Sequence, residues 1–475
     1  MSAKQTTDEM VRNEVVKSRL PTLPSERQLG MTDMILIQVS FSVATWMLVL
    51  GAWTGMATPL PLAIIACVVG CSLPLFFHCL IGPFIARWGL DNGIITNSVA
   101  GPLGTLIIVV AVTTPMYLGW TSIPIVMFGR TVHESLGFLS VTGPMANAEL
   151  WSFVALGVAF LILWKAAMIL KFFFRIVTPC IVILLAILTY KIFSHYGWSH
   201  IAQIVPEGFH KDPWISFMIA IEMNVGLGFS WPFSFAVYCR LAKSESAAFY
   251  GTWWGWGPIW AIACIPAIAG GLVAGVTDPV YLLKDIGGIW VVLYMFFLGI
   301  ANIFSGICTM YIVALTARVV WPKLSWLQAL SINLLVIILI LVPAAYDQYG
   351  TFVAFYGALL GPLGVVWVVD IILRRMNVNM KEIYDVSANS AYYYWKGINV
   401  LFVASCVIGT AISLYIYNPV TCVPHVESVF RVCGAAFPAS LIAGASYYVL
   451  ARVFLVPRKI GFPPIPNEER VAVNE

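Results

Sequence analysis

Apolar runs separated by short polar stretches follow one another along most of this chain. Each run is about 18 residues or longer, which is the length an α-helix needs to cross the hydrocarbon core of a bilayer. The pattern therefore predicts an all-α integral membrane protein with about twelve transmembrane helices. The predicted spans are 33–55, 60–85, 103–128, 150–168, 172–194, 213–238, 250–276, 287–320, 325–344, 351–373, 397–418 and 433–456.

The sixth run is interrupted near its middle by the stretch Met223 to Pro232. Gly226, Gly228 and Pro232 are poor helix formers, and irregular backbone at this depth is tolerated only against protein or a watery cavity. A hydroxyl-rich patch, Ser40 to Thr45, interrupts the first run at a corresponding position. Paired interruptions are typical of secondary transporters, so we expect discontinuous first and sixth helices. The alternative use of the two glycines is close packing of helices.

Lysine and arginine are distributed unequally between the two sides of the predicted bundle. With the N-terminus inside, 21 of the 26 basic residues fall on the inner side, and an excess of basic residues marks the cytoplasmic side. We therefore predict a multi-pass protein of the cell (inner) membrane with both termini cytoplasmic. The composition, 60% hydrophobic and 10% charged, fits a chain surrounded by the lipid bilayer, and the net charge of +4 reflects loop asymmetry rather than nucleic-acid binding.

Short loops leave one membrane transport domain, residues 31–456, between two polar cytoplasmic tails at 1–30 and 457–475. A first half at 31–195 starts from the inside and a second half at 212–375 starts from the outside. If the halves share a fold, they form a repeat of five helices plus five in inverted topology, followed by a final helix pair at 397–456. Residues 1–30 lack an apolar core before a cleavage site, so no cleavable signal peptide is expected.

The reactive residue types show no catalytic or metal-binding spacing. The cysteines form no CxxC or Cys/His pattern, and intramembrane His, Asp and Cys are not clustered, so we expect neither an enzyme nor a cofactor or metal site. A receptor would need a larger soluble domain. Cys422 and Cys433 flank the outer end of the last hairpin, where they either pair as a disulfide or remain free thiols.

Several inner-side motifs resemble those of one transporter family. The most specific is Ile383-Tyr-Asp385 followed by Tyr392-Tyr-Tyr-Trp-Lys-Gly-Ile-Asn399, preceded by Leu360-Gly-Pro-Leu-Gly364, Asp370 and Arg374-Arg375. Weaker matches are Glu26-Arg27, Arg87-Trp-Gly89, Gly101, Gly104 and Arg240-Leu-Ala-Lys-Ser244. The chain resembles the nucleobase:cation symporter-1 family, which includes cytosine/purine, hydantoin and allantoin permeases. The resemblance implies a leucine-transporter-type fold and cation-coupled import of a nucleobase, hydantoin, allantoin or related vitamin.

The resemblance also implies a site in which a planar heterocycle lies between aromatic rings of the third and sixth helices. Polar side chains of the third and eighth helices would bind its edges. Either Tyr117 or Trp120 is the ring of the third helix, while the family tryptophan of the sixth helix falls on Gly228, with Phe229 and Trp231 beside it. The expected substrate-site residues are Tyr117, Trp120, Thr121, Asn224, Gly228, Phe229, Trp231 and Thr309.

The coupling cation, proton or sodium, is the second small partner implied. Sodium-coupled members place adjacent hydroxyls on the eighth helix, and here those positions hold Ile303 and Phe304, which argues against sodium unless a shifted register brings Asn302, Ser305 or Thr309 into place. A hard cation requires such oxygen ligands. The candidate ion-coupling residues are Glu222, Ser40, Val43 and Ser305.

Glu222 is the least expected side chain of the sixth span, because a carboxylate at that depth costs about 2.5–3.5 kcal/mol. It is either a proton-carrying group or a structural carboxyl with a buried partner. Asp370, four residues before Arg374, is expected to form an ion pair with it. Trp253, Trp254, Trp256 and Trp260 are expected to be interfacial anchors.

An amino acid or amine permease of the same fold is the alternative function. Such a permease would bind a carboxylate with exposed amides of an unwound first helix. Here the first span has no glycine between Gln38 and Gly51, which favours the planar nitrogen compound.

Overall fold

The computed structural model describes residues 19–165, 170–276, 289–342 and 348–464, and this part of the chain is predominantly helical. We number the principal helices α1 to α12 and give the two halves of a broken helix the letters a and b. Their bounds are α1a Met31–Ser42, α1b Thr45–Ala57, α2 Leu60–Cys79, α3 Thr114–Phe138, α4 Ala148–Lys165, α5 Leu170–Tyr196, α6a Pro213–Phe229, α6b Pro232–Cys239, α7 Glu245–Trp256 with its continuations Pro258–Ala263 and Ile265–Ala274, α8 Ile289–Val320, α9 Trp326–Ser331 continuing to Val336–Ile340, α10 Tyr349–Leu373, α11 Val400–Ile416 and α12 Ala436–Leu450.

Shorter elements connect these helices. They include Ile81–Trp88, Asn92–Ile95, Asn97–Ala100 and Pro102–Ile107 between α2 and α3, Trp198–Gln203 after α5, Met380–Tyr384 after α10, and Glu427–Cys433 before α12. Strands β1 Tyr417–Asn418 and β2 Val423–Pro424 pair antiparallel in the α11–α12 connection. Residue types at the helix starts explain several boundaries: the Asp212 carboxylate accepts a hydrogen bond from Trp214 N (2.8 Å), and Ser244 caps α7 in the same manner.

Seven helices within the described residues are long and apolar enough to cross a membrane, and the pair α1a and α1b counts as an eighth span. Three shorter apolar helices, α4, α9 and α11, accompany them. The chain is thus a multi-pass helical membrane protein, as the apolar runs predict. Most boundaries agree within a few residues; the predicted span 351–373, for example, corresponds to Tyr349–Leu373. The third span is an exception, because α3 runs from Thr114 to Phe138 whereas the predicted span is 103–128.

The first helix breaks at Val43 and Ala44, where Ala44 is extended and the two halves meet at 70°. In the sixth helix, Ser230 and Trp231 lie between α6a and α6b. Pro232 opens α6b, a position where its missing N–H costs nothing. The expected unwinding at Gly226 and Gly228 is wrong, because both residues are helical.

These two glycines allow close packing instead. A Cβ on Gly226 would lie 2.8 Å from the Val353 carbonyl oxygen of α10, and one on Gly228 would lie 2.6 Å from the Cys71 carbonyl oxygen of α2. The backbones of three helices therefore approach one another where only glycine fits.

A buried ion pair lies at the C-terminal end of α10. Arg374 pairs with Asp370, as expected from their spacing, and Tyr447 of α12 donates to Asp370 Oδ1 (2.7 Å). The guanidinium also donates to the Ser98 carbonyl oxygen (2.5 Å) and to Tyr394 Oη (2.8 Å). Tyr394 in the motif at 392–399 therefore joins the connection after α10 to this pair.

Parts of both tails are bonded to the bundle, contrary to the expectation of solvated tails at 1–30 and 457–475. Gln28 N donates to the Leu241 carbonyl oxygen (3.0 Å), and Lys243 N donates to that of Leu29 (2.8 Å). Near the other end, the ring of Phe462 stacks 4.3 Å from the Arg374 guanidinium carbon. Backbone groups of one tail and an aromatic ring of the other thus have partners on the bundle.

Candidate functional site

Five tryptophan rings meet where the breaks of α1 and α6 face α3 and α7. We call Trp46, Trp120, Trp231, Trp256 and Trp260 the indole cluster; all five are essentially inaccessible to solvent. Trp231, in the break of α6, lies with its ring centroid 4.7 Å from that of Trp120 and 4.3 Å from that of Trp256. Trp46, at the start of α1b, contacts Trp120 (5.4 Å) and stacks on Trp256 (5.5 Å) and Trp260 (6.4 Å).

Other aromatic rings surround the indole cluster. Phe41 of α1a lies edge-on to Trp231 at 5.0 Å, and Tyr117 of α3 lies 6.3 Å from the same ring. Tyr349 and Phe352, in the first turn of α10, contact Trp120 at 5.8 and 5.4 Å. Flat rings from five helices thus pack together at the two breaks, and such rings suit contact with a planar aromatic ligand.

Hydroxyl and amide groups lie beside these rings. Thr121 of α3 donates to Thr309 of α8 (2.8 Å), so the two residues expected to bind substrate edges are in contact. Asn302 Oδ1 of α8 accepts hydrogen bonds from Thr45 Oγ1 (2.7 Å) and Thr45 N (3.2 Å). This amide therefore joins α8 to the first residue of α1b, directly after the break.

Sequence reasoning missed part of this site. Trp256 and Trp260 are buried in the cluster, so their expected role as interfacial anchors is wrong, whereas Trp254 is 44% exposed and fits that role. Gln38 was also missed: its Oε1 accepts from Trp256 Nε1 (2.5 Å) and its Nε2 donates to Thr252 (3.4 Å). The sequence contains two signals for these residues. One is a glutamine within the first apolar run, and the other is a pair of tryptophans four residues apart beside Gly257.

Three expected site residues lie elsewhere. Phe229 contacts His78 (4.8 Å) and Phe437 (6.2 Å), on the side of α6a that faces α2 and α12. Gly228 lies against α2, and Asn224 Nδ2 donates to Thr54 (3.0 Å) and to the carbonyl oxygen of Ala220 (2.8 Å). All three therefore lie outside the indole cluster, because α6a is unbroken and directs Asn224 and Phe229 toward other helices.

The proposed ion-coupling residues are dispersed. Ser40 donates to the Leu36 carbonyl oxygen (2.8 Å) and is hydrogen-bonded to Thr178 of α5. Val43 lies in the break of α1, and its N–H donates to Val39 (2.9 Å). Ser305 is buried in α8, where its carbonyl oxygen accepts from Thr309 (3.2 Å). Among the described residues, no group of three or more His, Cys, Asp and Glu side chains is arranged to hold a metal ion.

Glu222 has structural partners. Its two carboxylate oxygens accept hydrogen bonds from the backbone N–H groups of Ala435 (3.0 Å) and Ala436 (2.6 Å), which begin α12. A carboxylate at a helix N-terminus satisfies donors that the helix itself leaves unpaired. These contacts match the structural interpretation of Glu222.

All ten cysteines are free thiols, including Cys422 and Cys433, so the structure contains no disulfide between that pair.

Comparison with known proteins agrees with this architecture. A family model described as "Permease for cytosine/purines, uracil, thiamine, allantoin" matches residues 22–435. A purine-uracil permease NCS1 from Arabidopsis thaliana is 30% identical over 104 residues, which span only 21% of this chain and 17% of that relative.

Two structures of Mhp1, a nucleobase-cation-symport-1 family transporter, also resemble the chain. The closed conformation with bromovinylhydantoin bound gives a TM-score of 0.78 at 16% identity, covering 96% of this chain and 98% of Mhp1. The inward facing conformation gives 0.78 at 17% identity over 96% of each chain. A Na⁺-coupled sialic acid symporter gives 0.59 at 12% identity over 94% of this chain and 96% of its own. The fold is therefore that of these transporters. Together with the inner-side motifs, the family model shows that the chain belongs to the permease family for cytosine/purines, uracil, thiamine and allantoin, within the nucleobase:cation symporter-1 group.

Proposed function

We propose that the protein is a symporter that imports a small planar nitrogen compound, such as a nucleobase, hydantoin, allantoin or related vitamin, by alternating access. The observation that carries this proposal is the convergence of two helix breaks on the indole cluster. The rings of the indole cluster belong to α1b, α3, α6 and α7 and would move with these helices. A break beside a ligand allows the two halves of a helix to move separately. The paired hydroxyls of Thr121 and Thr309 would bind the edge of the ligand.

The inverted repeat is supported by how the helices pack. α6a packs on α2 as α1b packs on the last part of α7, and α3 packs on α4 as α8 packs on α9, while α3 and α8 pack on each other. Exchanging each helix of the first half for the helix numbered five higher, and the reverse, converts each contact into its counterpart. Taking broken helices and shorter apolar helices as spans gives the proposed twelve, with the repeats at 31–195 and 212–375 and a final pair at 397–456.

The amino acid or amine permease fits less well. In that reading the amides at the break of α1 would bind the substrate carboxylate, whereas here Thr45 N–H donates to Asn302. The indole cluster, moreover, contains no charged side chain to pair with an amino acid.

A thermal-shift screen of the purified protein tests the proposal. A ligand at 100 times its Kd stabilises the native state by about 2.7 kcal/mol, so one class among nucleobases, hydantoins, allantoin and vitamins should raise the melting temperature. Amino acids, including L-phenylalanine, are the comparison set. Stabilisation by amino acids alone would favour the alternative permease.

A further inference from the structure

The indole cluster has an excess of hydrogen-bond donors. Trp120, Trp231 and Trp260 each bury an indole N–H without an acceptor, and so does the Asn302 amide nitrogen. Of the four indole N–H groups that the described residues leave buried without an acceptor, three belong to this cluster. An indole nitrogen donates only and cannot accept, so the acceptor has to come from a bound ligand or a water molecule that the ligand displaces.

Several other tryptophans in this protein have a hydrogen-bond acceptor for the indole N–H. Trp256 donates to Gln38 Oε1 (2.5 Å), Trp253 to the Ser72 carbonyl oxygen (3.0 Å) and Trp326 to that of Leu163 (3.0 Å). Buried donors are satisfied as a rule, and an exception calls for an explanation. Three of the four indole exceptions among the described residues are rings of the indole cluster, and the fourth, Trp367, lies beside Phe233 outside it.

The rings that carry the unpaired donors are linked by ring contacts. Trp120 contacts Trp231 at 4.7 Å, and both contact Trp46 (5.4 and 6.0 Å), which stacks on Trp260 at 6.4 Å. Asn302 is hydrogen-bonded to Thr45, the neighbour of Trp46. A planar ring entering between Trp120 and Trp231 would separate them by about its own thickness.

We infer that this site selects rings bearing exocyclic oxygens over rings bearing amino groups, an inference that rests on the proposed function. Carbonyl oxygens of an imide edge accept from the indole and amide N–H groups, while the ring N–H between them donates to the hydroxyl oxygen of Thr121 or Thr309. An amino group at the same position would place its own N–H donors against the N–H groups of the site. The buried N–H groups would then remain unpaired. A cationic ring would bring a positive charge to these N–H groups and has no carboxylate in the cluster to offset it.

Uracil and cytosine provide the closest test, because cytosine carries an amine in place of one exocyclic oxygen of uracil and lacks the adjacent ring N–H. Xanthine and adenine differ in the same manner and also in a second oxygen, and they are a further pair. Affinities are measured by thermal shift and competition on the purified full-length protein. We expect uracil and xanthine to bind at least about tenfold more tightly, since a site built to hydrogen-bond a group strongly rejects an analogue without it. Tighter binding of cytosine and adenine overturns the inference and leaves the proposed function intact, whereas no binding of any planar ring overturns the proposed function itself.

Replacing Trp120, Trp231 or Trp260 by Phe removes the N–H and keeps an aromatic ring. Each variant should reduce the preference for oxygen over amine severalfold, with Trp254→Phe, at an exposed position, as the control. A preference unchanged in all three variants would show that the indole N–H groups do not select the substrate. The melting temperature without ligand identifies any variant that fails to fold, and the comparison on the unmodified protein does not depend on the variants.

Discussion

Trp120 and Trp254 lie in opposite environments in this protein. Trp120 is 1% exposed and contacts four aromatic rings, while Trp254 is 44% exposed. We predict that Trp120→Ala weakens substrate binding more than Trp254→Ala, because stacking contributes about 0.5–1.5 kcal/mol beyond the buried area. Equilibrium binding to the folded fraction of each variant measures the difference. Equal losses would remove Trp120 from the proposed site.

A substitution at Glu222 tests whether this carboxyl couples transport to protons or has a structural role. Glutamine at this position keeps one acceptor oxygen but turns an amide donor toward a backbone N–H of α12, which should destabilise the protein by about 1–3 kcal/mol. We predict that Glu222→Gln lowers the melting temperature and reduces substrate exchange and gradient-driven uptake together. Glu207→Gln, at an exposed position before α6a, is the control.

A role of Glu222 as a proton carrier would give a different set of results. A variant that melts as the unmodified protein does, exchanges substrate normally and loses only accumulation driven by a pH gradient would identify Glu222 as a proton carrier. Burial alone favours the neutral carboxyl, which was the reason to expect that role from the sequence. Its two backbone hydrogen bonds, invisible in the sequence, oppose that effect.

At the level of single residues, the sequence predicted part of the indole cluster and its neighbours and missed the rest. Tyr117, Trp120, Thr121, Trp231 and Thr309, which the sequence analysis assigned to a substrate site, lie in or beside the indole cluster. Trp256 was missed because indoles are equally suited to the membrane interface. Which of these two environments an indole occupies depends on tertiary packing that a single sequence does not display.

Among the elements, helices were predictable and their breaks less so. An apolar run of sufficient length leaves the backbone in a membrane little choice except a helix. A glycine costs a helix about 1 kcal/mol relative to alanine, which packing against a neighbouring backbone can offset. Gly226 and Gly228 are such cases, and the sixth helix breaks just beyond them, at Ser230 and Trp231.

Helix α8 bears on the choice of coupling ion. Ile303 and Phe304 offer no oxygen from their side chains, and Asn302 Oδ1 is already bonded to Thr45. We predict that replacing Na⁺ by choline leaves uptake nearly unchanged, while collapse of the proton gradient abolishes accumulation. Steep dependence on Na⁺ would contradict this and place a cation among the oxygens of α1 and α8.

Across the whole molecule, different contacts join the helices on the two sides of the bundle. On the proposed inner side, the backbone of the N-terminal segment pairs with the loop after α6b, and Arg87 forms a bidentate pair with Glu245 (2.7 and 3.1 Å). On the proposed outer side, Asp212 pairs with Arg431, and hydrogen bonds from Trp214 N and this guanidinium hold the pKa of Asp212 below its usual value. This outer contact joins α6a to the segment before α12, so movement of α6a would be transmitted there.

Cys433 in that outer segment reports the orientation of the whole protein. It is a free, exposed thiol, whereas the other nine cysteines are buried or partly buried. With both termini cytoplasmic, a membrane-impermeant maleimide should label Cys433 in right-side-out vesicles and not in inverted ones, and Cys433→Ser should remove most of the signal. Partial burial raises the pKa of this thiol, and since the thiolate is the reactive form, the labelling rate should keep rising with pH through the alkaline range. Labelling confined to inverted vesicles would reverse the proposed topology, and with it the side from which substrate is imported.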